Sequence, residues 1–172
     1  LDPTEKIGVL TTVNFDGQPH ISLITSMQPK SPDVLMFGQF SHGLSKQHVL
    51  KNPKTGFLVM TLARELWMGT ATWKSLAKEG EDYESYNDKP MFRYNTYFGI
   101  NTVHYLDVQQ VSEKTSLPLA SIIPASIVTR LSRRHAATGI DDAIMNPWSQ
   151  GLFGRMDTLK FISWIDSEGF PH

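Results

Sequence analysis

The chain ends on a partial copy of its own beginning. Residues 7–20 read IGVLTTVNFDGQPH and residues 159–172 read LKFISWIDSEGFPH, so an apolar run, an acidic residue before glycine and a Pro-His exit recur in one ungapped register. Two apolar segments around Asp-Gly or Glu-Gly indicate a β-hairpin, because glycine takes the positive φ that a tight turn requires. The repeat predicts a hairpin at each end, the second being either a truncated copy or a recruited addition.

The composition excludes several classes of function. A chain of 172 residues corresponds to about one domain, and its net charge of −1 offers no broad basic surface for nucleic acid or an anionic membrane. The absence of cysteine excludes disulfides, thiolate nucleophiles and cysteine-bearing metal sites. No apolar run approaches the roughly twenty residues of a membrane helix, and residues 1–6 do not resemble a signal peptide. We expect a soluble cytoplasmic protein.

Short extended segments are the main structural signal. Strands are predicted over Ile7–Asn14, His20–Met27, Val34–Gln39, Gly56–Leu62, Leu66–Trp73 and Thr102–Val111. Helices are predicted over Ser41–Lys51, with Ser41 as the N-cap, and over Leu119–His135, whereas residues 28–33 and 83–99 are predicted as loops. This pattern predicts a mainly β fold, a small antiparallel barrel with a short helix after the third strand.

Three motifs follow one another around the first predicted helix. Residues 16–20 (DGQPH) lie in the first hairpin, Ser45-Lys46 lies near the start of the helix, and Asn52-Pro53 ends it before the next strand. In this order and spacing the chain resembles the FMN-binding split-barrel family, the pyridoxamine 5'-phosphate oxidase-like proteins, from residue 7 to about residue 111. The resemblance implies a split-barrel flavin-binding domain over residues 1–115. Residues 116–172 would form a C-terminal helical extension that ends in the repeated hairpin.

The resemblance also implies a cofactor and an assembly. Members of the family bind FMN, often between the two subunits of a homodimer. The adjacent Arg and Lys of the oxidase are reduced here to Lys46, and its Arg-x-x-Leu-Leu element is replaced by residues 21–25. The resemblance therefore implies flavin binding rather than the vitamin B6 oxidase reaction.

The start of the first predicted helix is a candidate phosphate site. Free N–H groups and the positive end of the helix dipole favour an anion there, and serine hydroxyls and Lys46 can bond phosphate oxygens. The alternative is that Ser41 only caps the helix and Lys46 is only a solvated charge. With the resemblance, which puts the flavin ring against neighbouring strands, the predicted FMN-binding residues are Ser22, Thr25, Gln39, Ser41, Gly43, Leu44, Ser45, Lys46 and Trp67.

The aromatic segment 83–99 is a candidate substrate surface. It combines aromatic rings, amides and one arginine, a mixture that suits the recognition of a flat ligand, and the predicted substrate-binding residues are Arg93, Tyr94 and Tyr97. An equal alternative is that the segment covers one end of the barrel or lies in a dimer interface. We assign Trp73 to ordinary core packing.

The histidines do not form a metal or catalytic cluster in the sequence. His42 and His48 are six residues apart, which misses the spacing of one helix face, and His104 and Asp107 point to opposite faces of a strand. No G-x-S-x-G motif is present, so a hydrolase is rejected, and no catalytic residue is assigned. The resemblance implies an FMN-dependent oxidoreductase that passes electrons or hydride to or from a small molecule. The alternative is a non-catalytic module that stores FMN or carries haem.

Overall fold

The computed structural model describes residues 6–89, 92, 99–136, 145–155 and 158–172. The chain divides into two compact units, residues 1–116 together with 163–172, and residues 117–162. Residues 163–172, which the sequence places with the extension, thus fall in the first unit.

One antiparallel sheet organises the first unit. Its strands are β1 (Lys6–Val13), β2 (Pro19–Leu23), β3 (Gln28–Ser31), β4 (Val34–Gln39), β5 (Lys54–Thr61), β6 (Glu65–Ala77), β7 (Thr102–Val111) and β8 (Thr115–Ser116). Their spatial order is β2-β1-β5-β6-β7-β4-β3, with β8 added to β6. Strands β2 and β3 are consecutive in the chain but form the two ends of this path, so the sheet stays open between them. The prediction of a mainly β, antiparallel fold is confirmed.

Alternation along the strands builds one core inside the sheet. Leu10, Phe37, Phe57, Ala71 and Leu106 come from five different strands and are buried in a single cluster. Because successive side chains of a strand point to opposite faces, the other face of β4 and β7 needs its own cover. A second buried cluster forms there, which comprises Met36, Tyr86, Phe92, Ile100 and Val103.

Several predicted elements change in length or type. Strand β2 ends at Leu23 rather than Met27, because the chain turns after Ile24, where the N–H of Met27 donates to Ile24 O at 3.3 Å. The segment 28–31 is a strand despite its proline, since β3 is an edge strand, where a missing N–H need not break the ladder. Strand β7 has the predicted bounds.

Two predictions about helices are wrong. Helix α1 (Leu44–Lys51) begins three residues later than predicted, with Gly43 at its N-cap and no side-chain cap, so Ser41 is not the N-cap. Part of the predicted loop 83–99 belongs to helix α2 (Glu81–Asp88). Its first turn carries acidic residues that suit the helix dipole, and Tyr86 is buried beneath it. The polar sequence of this segment does not indicate a helix, because only tyrosines, the buried Tyr86 and the partly buried Tyr83, make its contacts with the core among the described residues.

The repeated hairpin takes the same turn at both ends of the chain. Gly17 and Gly169 have φ of 77° and 83°. Asn14 Oδ1 accepts the backbone N–H groups of residues 16 and 18 at 2.9 and 2.8 Å, and Asp166 Oδ1 accepts those of residues 168 and 170 at the same distances. The predicted hairpin is therefore present twice, with an Asx residue at the start of each turn.

The second hairpin packs on the barrel of its own chain. Pro171 is fully buried, and its carbonyl lies against Gly56 of β5. Lys54, on the same strand, donates through Nζ to Glu168 O and lies 5.0 Å from the centre of the Phe170 ring. These contacts place the second hairpin against β5 of the first unit.

The described residues of the second unit form two helices. Helix α3 (Leu119–Ala136) agrees with the predicted Leu119–His135 and contains Pro124. Helix α4 (Pro147–Gly154) begins after Asn146, whose side chain accepts a hydrogen bond from the N–H of Ser149 at 2.8 Å. Among the described residues, no helix combines the length and the apolar character that crossing a membrane requires.

Candidate functional site

The first turn of α1 lacks a side-chain cap. Gly43 occupies the N-cap position in an extended conformation, with φ of −119°. Because glycine has no side chain, it cannot cap the helix with a side-chain hydrogen bond. The first N–H groups of a helix have no partner within the helix, and the helix dipole makes this end positive. The start of α1 can therefore receive an acceptor or an anion from outside the helix.

Lys46 adds a positive charge at the same place. Its side chain is half-buried and folds back, so that Nζ lies 3.6 Å from the position that a β-carbon would take at Gly43. Burial lowers the pKa of Lys46, and no acidic residue in the described part of the chain pairs with it. A partly desolvated ammonium without a counter-ion beside a helix N-terminus favours an anionic ligand.

Two serines connect β2 to this helix. The hydroxyl of Ser22 donates to Oγ of the buried Ser45 at 3.1 Å, and His20 Nε2 lies 3.3 Å from Ser22 Oγ. The structure thus brings together Ser22, Gly43, Ser45 and Lys46, four of the predicted FMN-binding residues.

His48 supports the site from below the helix. It is buried, its Nδ1 lies 3.0 Å from Thr12 Oγ1, and its ring meets those of His20 and Phe15 edge-on at 4.9 and 5.2 Å. Burial and the nearby His20 lower the pKa of His48. These contacts are those of a structural histidine whose ring has partners within the fold.

Gln39 and His104 form the polar end of the barrel interior. His104 is buried, stacks on Phe37 with ring centres 4.8 Å apart, and places Nε2 2.7 Å from Gln39 Oε1. The indole N–H of Trp73 donates to His104 Nδ1 at 3.2 Å. Burial, with a smaller contribution from the charge of Lys46, lowers the pKa of His104 to about 4. His104 is therefore neutral near pH 7.

The sequence does not reveal that Gln39, Trp73 and His104 contact one another, because the three residues lie on strands that are distant in the chain. Phe37 of β4 pairs directly with His104 of β7, and Gln39 follows Phe37 by two residues on the same face. The alternation of each strand is visible in the sequence, but the register between the strands is not. Trp73 does pack against the core as predicted, and its hydrogen bond to His104 is an additional contact.

Solved structures with a similar fold share little sequence with this chain. An FMN-binding protein from Syntrophomonas wolfei superposes with a TM-score of 0.52 at 14% identity, over 64% of this chain and 77% of that one. A variant of HupZ from Group A Streptococcus superposes with a TM-score of 0.50 at 17% identity, over 65% of this chain and 92% of that one. The chain has the split-barrel fold. No protein-family model matches the chain, and no curated protein does so either.

Some predicted site residues are exposed or lie away from the start of α1. Thr25 is exposed in the turn after β2, Ser41 is exposed before the helix, and Leu44 is the exposed first residue of the helix. Trp67 lies on β6 opposite Val59, where both line an apolar cavity of about 440 Å³ together with Phe57. Within the described residues, no hydrogen bond or ring contact links Trp67 to α1. Arg93, Tyr94 and Tyr97 lie outside the described residues.

The donor groups of the split barrel fit one phosphate. The uncapped first turn of α1 and the Lys46 ammonium supply N–H groups and one positive charge, and Ser45 and Ser22 supply hydroxyls. In the described residues, no group of three or more His, Asp or Glu side chains could hold a metal ion.

Proposed function

We propose that this split barrel binds FMN, with the phosphate held at the start of α1. The observation that carries the proposal is Lys46, a half-buried ammonium without an acidic partner among the described residues, which folds toward the uncapped helix start. A phosphate there would receive a charge-assisted hydrogen bond from Lys46 and further bonds from backbone N–H groups and the hydroxyl of Ser45.

A single phosphate is the best match to this charge. One short helix and one lysine can neutralise one phosphate group, whereas a dinucleotide needs a cradle for a pyrophosphate. No G-x-G-x-x-G motif follows a strand in the chain. These features favour FMN over FAD or a nicotinamide dinucleotide.

We further propose that the protein is an oxidoreductase that transfers electrons or hydride to or from a small molecule. The bound FMN would supply the redox chemistry, which the cysteine-free chain does not provide through thiols. The chain itself would hold the phosphate at α1 and orient the cofactor through Gln39 and Ser22. A homodimer, a cytoplasmic location and a substrate contact by the segment around Arg93 are further parts of the proposal.

A visible spectrum followed by a titration tests the proposal. The protein as purified should show flavin absorption, and apoprotein should bind FMN more tightly than FAD, measured by the change in flavin fluorescence. Equal affinity for both flavins, or no binding of either, contradicts the proposal. A haem spectrum in place of flavin would support the alternative of a haem carrier, and bound FMN without turnover of any reductant would support an FMN store.

A further inference from the structure

The hydrogen bond from Trp73 determines where His104 carries its proton. An indole nitrogen can only donate, so His104 Nδ1, 3.2 Å from Trp73 Nε1, must accept. A neutral imidazole carries one proton, which then belongs to Nε2. The parallel stack of His104 on Phe37, with an angle of 4° between the rings, holds the imidazole in this orientation.

The proton on His104 in turn determines the orientation of Gln39. The Nε2–H of His104 points at the side chain of Gln39 at 2.7 Å, so the glutamine must present its oxygen there. Its NH₂ group then lies on the opposite side, 3.4 Å from Nδ1 of His42. The second N–H of this amide has no acceptor in the described part of the chain.

We infer that Trp73 is a positioning residue that acts through His104 to hold the Gln39 amide with its NH₂ group, rather than its oxygen, toward the segment that leads into α1. The amide then adds a donor near His42, in the segment between β4 and the uncapped helix start. This end of the barrel would select ligand atoms that accept hydrogen bonds, such as phosphate or carbonyl oxygens. The statement about the ligand rests on the proposed function, whereas the orientation of Gln39 does not.

The charge of Lys46 supports the same orientation. Burial, with a smaller contribution from this charge, lowers the pKa of His104 to about 4, so the imidazole stays neutral at physiological pH. A protonated His104 would place an N–H on Nδ1 facing the N–H of Trp73, two donors with no acceptor between them. The arrangement of the three side chains therefore holds at any pH well above 4.

Nuclear magnetic resonance of the whole protein tests the orientation without any ligand. In long-range ¹H–¹⁵N spectra at pH 7, His104 should carry its proton on Nε2 only. Trp73→Phe removes the donor but keeps an aromatic ring, and the Nδ1–H form of His104 should then become populated. A wild-type His104 that carries its proton on Nδ1, or is charged at pH 7, overturns the inference.

A double-mutant cycle with FMN tests the consequence for the ligand. Trp73→Phe should weaken FMN binding about three- to tenfold in the wild-type background, the effect of one hydrogen bond. In the Gln39→Met background, which has no amide to orient, the same change should have little effect. Equal losses in both backgrounds would mean that Trp73 only packs the core, and would overturn the inference.

A second variant tests the inference even if Trp73→Phe does not fold. Gln39→Glu retains an oxygen that accepts from His104 but removes the donor, and it should weaken FMN binding about tenfold or more. Unchanged affinity contradicts the inference. If the wild-type protein binds no FMN, the proposed function fails, and the proton position on His104 still decides the orientation of Gln39.

Discussion

Gly56 and Pro171 are packed so closely that the carbonyl oxygen of Pro171 occupies the place where a β-carbon would stand at position 56. The contact joins β5 to the second hairpin, whose residue 171 is fully buried. The clash would be with backbone atoms, which cannot move aside as the end of a flexible side chain can.

Gly56→Ala should therefore release the second hairpin. We expect a loss of about 1–3 kcal/mol in the free energy of unfolding, the usual effect of overpacking a buried contact, measured by urea denaturation. Gly151→Ala is the matched control, because nothing lies within 4 Å of a β-carbon there and alanine favours the helix.

A truncation identifies the cause of that loss. In a chain that ends before residue 163, the substitution at Gly56 should have little effect, since its clashing partner is gone. A similar loss with and without residues 163–172 would show that the strain arises elsewhere on β5.

Lys46→Met should weaken FMN binding by about one to two decades. The change removes a charge-assisted hydrogen bond of roughly 1.5–3 kcal/mol and keeps the apolar stem of the side chain. Lys51→Met, in the last turn of the same helix, is the control and should retain wild-type affinity. If both variants bind FMN equally well, the phosphate lies elsewhere.

The stability should fall as the pH decreases from 6.5 toward 4. In the folded protein His104 has a pKa of about 4, against an ordinary value of 6.5, so the unfolded chain binds more protons in this range. The contribution of His104 is fully present above pH 6.5 and is lost by about pH 4, a difference of at most roughly 3 kcal/mol. Urea denaturation across this range measures it.

Two variants separate His104 from the other titrating groups. His104→Gln should flatten the dependence between pH 4 and 6.5, leaving the smaller contribution of His48, whose pKa is also lowered. Lys46→Met should raise the pKa of His104, which nuclear magnetic resonance can follow directly. An unchanged His104 pKa in that variant would contradict the electrostatic contact between the two side chains.

Tyr86→Phe should destabilise the first unit. The buried hydroxyl of Tyr86 donates to the carbonyl oxygens of Ser26 and Met36 at 2.7 and 3.2 Å, and both would lose this donor. We expect a loss of about 1–3 kcal/mol by thermal or urea unfolding. Tyr83→Phe on the same helix should change little, because its hydroxyl makes no hydrogen bond with the described residues.

Light scattering should give the mass of a homodimer, as the split-barrel resemblance implies. A monomer at micromolar concentration would contradict this prediction. Because the second hairpin packs on its own chain, we expect the chain that ends before residue 163 to keep the same oligomeric state, although it should be less stable.

The sequence by itself determined the local features of this protein. Each hairpin turn is made within five residues, by a glycine at positive φ and an Asx side chain that accepts two backbone N–H groups, so Gly17 and Gly169 indicate it without further context. Gly43, Ser45 and Lys46 are also close in the chain, so they could be predicted as one candidate phosphate site, but the predicted helix start is Ser41 and not Leu44.

Only the tertiary structure decided which side chains share the end of the barrel. Gln39, Trp73 and His104 lie on β4, β6 and β7, and their contacts depend on the register with which distant strands pair. A shift of one residue would turn every side chain of a strand to the opposite face, and no short-range rule specifies that register. The placement of Trp67, predicted beside the flavin, depends on the register in the same way, and in the structure it lines an apolar cavity with Phe57 and Val59.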